Sequence, residues 1–345
     1  MPKPKVGFYW CASCGGCEEA IVDLAEDLLG VAEAVDIVFW PCAMDFKRAG
    51  VEALSDGDLL VTFLNGAIRS AEQEEMAHLL RRKSQLLVAY GACAQLGGIP
   101  GLANQFSRDT MMKFYFEDGP STVNEARIHP RLECVDGGHT VTLPELRHVV
   151  RALDQVVPVD YYIPGCPPTP KVTKTAIGAL LAGELPPKGT VLAPDTALCD
   201  QCPRKASKPT HVSFTAFRRP HLTSLDPELC FLAQGIVCMG PGTRAGCDAV
   251  CPDGNMPCSG CFGPTSRVRD QGAKMLSSLA ANVDARTDQE IDRILDGLPD
   301  PVGTFYRYGL AKSLLRRRAD LDLTSASIPG SAAAPPSAPA DSPTR

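Results

Sequence analysis

The sequence lacks an excess of positive charge, and it lacks long apolar runs. Its 345 residues include 34 Lys and Arg against 40 Asp and Glu, which gives a formal net charge of -6. A basic nucleic-acid surface is therefore not expected. No apolar stretch approaches the length of about 18 residues that a membrane span requires, and the start MPKPKVGFYW has no long apolar region of the signal-peptide kind. These absences predict a cytoplasmic protein with no nucleic-acid partner and no membrane span.

Cysteine, by contrast, is abundant, with 15 residues in the chain. Disulfides need an oxidising compartment and catalysis needs few thiolates, so metal ligation is the interpretation that accounts for this number. The alternative is that many of these cysteines are small buried hydrophobic residues.

The first half of the chain alternates predicted strands and helices. Strands are predicted at 6–10, 35–40, 59–64, 86–90 and 159–163, and helices at 18–29, 72–82, 144–155 and 171–182. Such alternation is typical of the α/β class with a mostly parallel, doubly wound sheet. The carboxyl ends of its strands should meet along one edge, where open α/β sheets bind their ligands.

Three cysteine-containing loops follow predicted strands. They read CASCGGCEE, GACAQLGG and PGCPPTP, and each contains glycine or proline. Because these loops should lie at the same edge of the sheet, we expect the thiolates of Cys14, Cys17, Cys93 and Cys166 to meet there. The sequence therefore predicts a four-cysteine site in the first half of the chain.

Beyond residue 190 the alternation stops and the cysteines fall into pairs. The pairs are Cys199 with Cys202, Cys230 with Cys238, Cys247 with Cys251, and Cys258 with Cys261. A segment this poor in regular structure cannot easily build an apolar core, and metal centres can stabilise it instead. CxxC pairs also suit zinc, which spacing alone does not exclude. The close spacing and the Cys-Pro dipeptide at 251 favour iron-sulfur ligation.

Five motifs carry a family resemblance. In order along the chain, CGGCEE, GACAQLGGIPG, PGCPPTP, CDQCPRK and CMGPGTRAGC resemble the small, electron-transferring subunit of nickel-iron hydrogenases. The most similar type is the cytoplasmic methyl-viologen-reducing, deazaflavin-non-reducing group, whose small subunit feeds heterodisulfide reductase. The resemblance implies a flavodoxin-like domain at 1–190 with a proximal cluster. A small irregular iron-sulfur domain at 191–320, with medial and distal clusters and C-terminal helices, should follow it. Segment 321–345 is rich in Pro, Ala and Ser and is expected to be disordered.

The resemblance assigns twelve cysteines to three clusters in a line. The proximal group is Cys14, Cys17, Cys93 and Cys166, the medial group is Cys247, Cys251, Cys258 and Cys261, and the distal group is Cys199, Cys202, Cys230 and Cys238. Many relatives have histidine where this chain has Cys199. Respiratory relatives often have three medial cysteines and a three-iron cluster, whereas Cys251 offers a fourth ligand here. All three clusters are therefore expected to be of the 4Fe-4S type.

The resemblance also implies a function in electron transfer. Electrons from hydrogen oxidation would enter at the proximal cluster, pass the medial cluster and leave at the distal cluster. The chain has no pair of CxxC motifs at its two ends to bind nickel, so the active site would belong to a partner large subunit, and no residue here is assigned as catalytic. The acceptor could be a heterodisulfide-reductase-linked, flavoprotein or ferredoxin-like subunit. The alternative is an orphan complex-I-like or ferredoxin-type carrier without hydrogenase activity.

Five further residues near these motifs have simpler interpretations. Cys11 could compete as a ligand if the first turn were shifted, whereas Cys42 and Cys134 have no partner motif and are interpreted as buried or surface thiols. Arg204 and Lys205 could steer an acidic acceptor, but a solvated charge pair is the plainer interpretation.

Overall fold

The computed structural model describes residues 2–315 of the chain. The strands are β1 (Lys5–Trp10), β2 (Asp36–Phe39), β3 (Leu59–Asn65), β4 (Ile68–Ser70), β5 (Ser84–Tyr90), β6 (Glu133–Asp136), β7 (His139–Thr142), β8 (Leu146–Arg151), β9 (Tyr161–Ile163) and β10 (Thr190–Val191). The α-helices are α1 (Gly16–Val22), α2 (Asp27–Ala34), α3 (Arg48–Glu52), α4 (Ala71–Lys83), α5 (Ala92–Leu96), α6 (Arg108–Lys113), α7 (Pro170–Ala182), α8 (Val250–Asp253), α9 (Gln271–Ala280), α10 (Asp288–Leu295) and α11 (Pro301–Phe305). The segment 321–345 that was expected to be disordered lies outside the described residues.

Six strands form one sheet in the order β2-β1-β3-β5-β9-β10, and every neighbouring pair runs parallel. Counted along the chain, this order begins 2-1-3-4-5, which is the order of flavodoxin-like sheets. The predicted fold class, a flavodoxin-like doubly wound parallel sheet followed by a small irregular region, is confirmed. The order reverses between β1 and β3, and the first cysteine loop leaves the sheet at this switch point.

The central strands are apolar because both faces of the sheet are covered. β3 (LLVTFLN) and β5 (SQLLVAY) are almost entirely buried. Phe63 and Val88 belong to the core on the face covered by α1 and α7, whereas Leu64 and Leu87 belong to the core on the face covered by α3 and α4. Successive strand residues point to opposite faces, so an apolar run covered on both sides reads as continuous in the sequence.

The predicted helix at 144–155 is wrong. This stretch forms β8, which pairs antiparallel with β4, followed by a 3-10 helix at Leu153–Gln155. The side chain of Asn104 donates to the carbonyl of Val150 and accepts from its N–H, both at 2.9 Å, and so satisfies that part of the extended backbone. The predicted helix at 18–29 is divided into α1 and α2 by Ala25, whose φ is 51°. The helices predicted at 72–82 and 171–182 are confirmed as α4 and α7.

The region after residue 190 has little regular structure but does have an apolar core. Short 3-10 turns and the four-residue α8 carry its cysteines. Phe214, Met239 and Leu198 pack against Met275 of α9 and Phe305 of α11 in one cluster. The cysteine-rich segment therefore shares its core with the helices that follow it. Within residues 2–315, no helix is long and apolar enough to cross a membrane.

Asp160, just before β9, is a buried carboxylate whose loss should destabilise the sheet. Its oxygens accept from Lys188 at 2.7 Å, Arg81 at 2.6 Å and the N–H of Leu87 at 2.8 Å. Burial alone would raise the pKa of Asp160, but these three donors together lower it below its usual value. The ionised carboxylate therefore stabilises the fold at neutral pH. That stabilisation is lost only in acid, as the pH falls below the ordinary aspartate pKa of 3.8 and through the lower folded pKa.

We expect Asp160→Asn to lower the free energy of unfolding by about 2 kcal/mol at pH 7, since it leaves the half-buried Arg81 without its carboxylate. The matched control is Asp27→Asn, which breaks an exposed pair with Lys174 at 2.7 Å. That change should cost less than about 1 kcal/mol. Anaerobic thermal unfolding of both variants measures the difference, and equal midpoints would contradict the prediction.

Candidate metal centres

The first cysteine loop is fixed to the end of β3 by backbone hydrogen bonds. The N–H of Cys11 donates to the carbonyl of Asn65 at 2.8 Å, and Ala12 and Ala67 exchange two hydrogen bonds of 2.9 Å. Gly66 has φ +88°, and a Cβ there would lie 2.6 Å from the carbonyl carbon of Cys11. Only glycine permits this approach, so the loop crosses the carboxyl end of β3 before α1 begins.

The structure brings the four cysteines of the proximal group together. Burial raises the pKa of Cys17, and negative charge at Cys93, Cys166 and Cys14 raises it further. Burial likewise raises the pKa of Cys93 to about 12, again with contributions from Cys166 and Cys14. Thiolates raise one another's pKa only when their sulfur atoms are close. The loops after β1, β5 and β9 therefore lie close together.

Two glycines leave room for this convergence. A Cβ on Gly91 would lie 2.4 Å from the sulfur of Cys17, and one on Gly98 would lie 2.3 Å from the sulfur of Cys93. The N–H of Gly91 donates to the carbonyl of Ile163 at 2.8 Å, which joins the loop after β5 to the end of β9. Side chains at these two positions would displace the sulfur atoms.

A buried polar network behind Cys17 was not predicted from the sequence. Glu18 is buried, and its carboxylate accepts hydrogen bonds from the Trp40 indole and from Asn65, the latter at 2.5 Å. Burial raises the pKa of Glu18, and these two hydrogen bonds oppose the increase. Glu18 and the exposed Glu19 are adjacent and identical in the sequence, so no local signal separates them.

The distal group also converges. Burial raises the pKa of Cys199; Lys208 lowers it, whereas Cys202 and Cys230 raise it further. Burial raises the pKa of Cys238 to about 12, with Cys199 and Cys230 among the other contributors. A Cβ on Gly240 would lie 3.5 Å from the sulfur atoms of both Cys199 and Cys238, so this glycine faces the space between the two sulfurs.

The medial cysteines form a third group. Burial raises the pKa of Cys261 to about 12, and charge at Cys247, Cys166 and Cys251 also raises it. Burial raises the pKa of Cys258 well above its usual value, and Cys238 and Cys261 add to this. Cys251 is exposed, whereas Cys258 is buried.

The medial group has contacts toward both other groups. Cys261 and Cys166 of the proximal group pack against the same small core of Ala92, Leu96 and Tyr308. At the other end, the carbonyl of Cys258 accepts from the N–H of Met239, next to Cys238 of the distal group, at 2.9 Å. The medial cysteines thus lie next to residues of both other groups.

The chemistry of these donors fits iron-sulfur clusters. The proximal and medial groups each include buried thiols, namely Cys17, Cys93 and Cys258. Buried thiolates that lie close together are unfavourable unless a positively charged centre binds them. The glycines at 91, 98 and 240 keep side chains away from the sulfur atoms. Within residues 2–315, no group of three or more His, Cys, Asp or Glu side chains is arranged so that it could hold a single metal ion. Thiolates of a cluster ligate different irons, so they need not surround one point.

The remaining cysteines do not join the groups. Cys11 is buried in the core on the face covered by α3 and α4, whereas Cys17 packs on the opposite face. The alternative in which Cys11 competes with Cys14 as a ligand is therefore not favoured by this arrangement. Cys42 and Cys134 are exposed thiols.

The interpretation of Arg204 as a solvated charge is wrong. Arg204 is only 3% exposed, and its guanidinium lies 4.1 Å above the ring of Phe231. Lys205 is exposed and pairs with Asp200 at 3.0 Å, as a surface charge should. The adjacent Arg and Lys thus differ completely in environment.

Comparisons with known proteins show that this chain is similar to hydrogenase subunits. Residues 14–180 match the family model of the NADH ubiquinone oxidoreductase 20 Kd subunit. The iron-sulfur subunit of the F420-non-reducing hydrogenase of Archaeoglobus profundus is 34% identical over 318 residues, covering 91% of this chain and 98% of that protein. A vhu subunit of the F420-non-reducing hydrogenase of Methanocaldococcus jannaschii is 37% identical over 315 residues, covering 91% and 98%. A chain in the crystal structure of an NAD+-reducing NiFe-hydrogenase in the H2-reduced state is 31% identical, covers 52% of this chain and 92% of that chain, and has a TM-score of 0.45.

Proposed function

Because this chain belongs to the family of F420-non-reducing hydrogenase iron-sulfur subunits and is a component of an oxidoreductase complex, we propose that it is the electron-transfer small subunit of a cytoplasmic nickel-iron hydrogenase. The observation that carries the proposal is that the medial cysteines contact both other cysteine groups. A subunit that conducts electrons needs carriers placed in succession, and the contacts of Cys261 with Cys166 and of Cys258 with Met239 support a medial position between the proximal and distal groups.

The residues of the chain would hold and enclose the carriers. Three 4Fe-4S clusters, when bound by the proximal, medial and distal groups, would supply one-electron carriers between a partner's active site and an acceptor. Cys17, Cys93 and Cys258 are buried and exclude water from one side of their sites. Residues 1–190 would form the domain with the proximal site, and residues 191–320 the domain with the other two. The chain itself would supply no catalytic residue.

An apolar surface beside the proximal group supports docking of the large subunit at this end. Ile99, Phe106, Phe114 and Tyr115 are each more than half exposed and line a cavity of about 780 Å³. The N–H of Ile99 interacts with the sulfur of Cys93 and lowers its pKa against the effect of burial. Contiguous exposed apolar side chains of this kind mark protein interaction sites. The nickel-iron site would thus be held by the partner next to the proximal group.

The distal group would face a further electron-accepting subunit. Cys199, Cys202, Cys230 and Cys238 are all partly exposed, so an acceptor could approach this end of the line. A heterodisulfide-reductase-linked protein, a flavoprotein and a ferredoxin-like protein are the acceptor classes that the resemblance suggests.

Anaerobic co-purification of the tagged chain from its native host tests the proposal. We expect about 12 irons per chain, nickel in the same complex, and hydrogen-dependent reduction of a viologen dye. Iron without nickel or hydrogen activity would instead favour the orphan carrier, and zinc in place of iron would refute the electron-transfer function. A matched control is the same purification of a Cys93→Ser variant, which should lose iron from the proximal group.

A further inference from the structure

Arg204 holds a buried positive charge that no carboxylate neutralises among residues 2–315. Its Nη1 donates to the carbonyls of Asp226 and Leu229 at 2.9 and 3.0 Å, and its Nη2 donates to the side-chain oxygen of Asn255 at 2.7 Å. Its Nε donates to the carbonyl of Pro252 at 3.4 Å. All four acceptors are neutral oxygens.

These contacts place the guanidinium against the distal group. Arg204 follows Cys202 by two residues, Leu229 directly precedes Cys230, and the ring of Phe231 directly follows it. The guanidinium carbon lies 4.1 Å from the centre of that ring. Pro252 and Asn255 both come from the segment between the medial cysteines Cys251 and Cys258. The guanidinium is therefore held between the two loops that carry distal cysteines and the loop that carries medial ones, with its carbon over the ring next to Cys230.

A buried cation needs a negative partner. Neutral carbonyls satisfy the hydrogen bonds of a guanidinium but do not cancel its charge, and an uncompensated buried charge is strongly unfavourable. The other buried arginine of this region has a carboxylate partner. Arg244 forms an ion pair with Asp195 at 2.8 Å. For Arg204, the thiolates of Cys202 and Cys230 lie on the segments that hold the guanidinium, and in their cluster-bound form they would supply this negative charge.

On the basis of the proposed function, we propose that Arg204 raises the reduction potential of the distal cluster. Reduction adds one electron, taken in a titration from dithionite, and therefore one negative charge to the cluster. A fixed positive charge in a low-dielectric environment stabilises that reduced form more than the oxidised form. Arg204 is thus a positioning and potential-setting residue that would favour movement of electrons toward the distal end.

The test is an anaerobic redox titration of the intact complex with dithionite and mediators, followed by electron paramagnetic resonance. In Arg204→Gln, one of the three one-electron transitions should shift to a lower potential. At a fixed potential, the ratio of reduced to oxidised distal cluster should be at least tenfold lower than in the wild-type complex. A tenfold change corresponds to 59 mV for a one-electron couple. Arg204→Lys keeps the charge and should retain most of the wild-type potential. Arg244→Gln removes a buried guanidinium whose charge Asp195 already neutralises, so the potential of the distal transition should stay unchanged.

The outcomes separate this inference from the proposed function. A wild-type complex without three transitions would count against the function itself. Three wild-type transitions, none of which shifts in Arg204→Gln, would overturn the role of Arg204 alone. Loss of the distal cluster from both Arg204→Gln and Arg204→Met would also overturn it, because the residue would then be needed for binding rather than for potential.

Discussion

Replacing Gly98 with alanine is expected to remove the proximal cluster and abolish hydrogen-dependent dye reduction. Gly98 has φ +59°, and a Cβ there would lie 2.3 Å from the sulfur and 2.7 Å from the Cα of Cys93. The loop cannot easily move away, because the N–H of Gly98 donates to the carbonyl of Tyr308 at 2.9 Å. Cys93 must therefore shift, and a displaced thiolate no longer meets the other three. About four of about 12 irons should be lost.

Gly178→Ala provides the matched control. Gly178 lies within α7, and a Cβ there would meet nothing within 4 Å. Alanine in a helix should leave the iron content unchanged and stabilise the chain by up to about 1 kcal/mol. Iron analysis and viologen reduction on both purified complexes give the comparison. A Gly98→Ala complex with full iron content would show that the proximal cysteines tolerate the displacement, contrary to this prediction.

The fold was predictable where the sequence pattern is local. The apolar runs of β3 and β5 identify central strands because burial on both faces leaves no alternation of polar and apolar residues. The helix predicted at 144–155 is wrong because the structure of this stretch depends on distant residues. The partners that hold this stretch extended, β4 and the side chain of Asn104, are distant in the sequence and leave no trace in its own periodicity.

The residues of the candidate sites were also only partly predictable from the sequence. The four-cysteine site of the first half could be predicted because its loops follow strands, and the geometry of parallel strands brings such loops to one edge. The medial and distal groups followed from the family resemblance and not from spacing alone. Glu18 and Arg204 could not be predicted. Each stands beside a residue of like charge, and burial of the first of each pair depends on side chains and carbonyls from separate loops, such as Trp40 and Asn65 for Glu18.

Replacing Cys251 with alanine is expected to remove about one iron, whereas replacing Cys258 should remove about four. Cys251 is exposed on the four-residue helix α8, so its loss would open one corner of the medial cluster to solvent. Cys258 is buried in the shared apolar core, and its backbone is fixed by the hydrogen bond from Met239. Loss of this thiolate would remove a ligand from the buried side of the site rather than from its exposed edge.

Iron analysis combined with electron paramagnetic resonance of the oxidised complex distinguishes the two variants, since a three-iron and a four-iron cluster differ in spin state when oxidised. Cys134→Ala, which removes an exposed thiol on β6, is the control and should lose no iron. If Cys251→Ala retained about 12 irons, Cys251 would not be a ligand. The medial site would then depend on Cys247, Cys258 and Cys261 with a fourth donor of another kind. If it lost as much iron as Cys258→Ala, the exposed thiolate would be as essential to binding as the buried one. Exposure would then be no guide to the contribution of a ligand in this site.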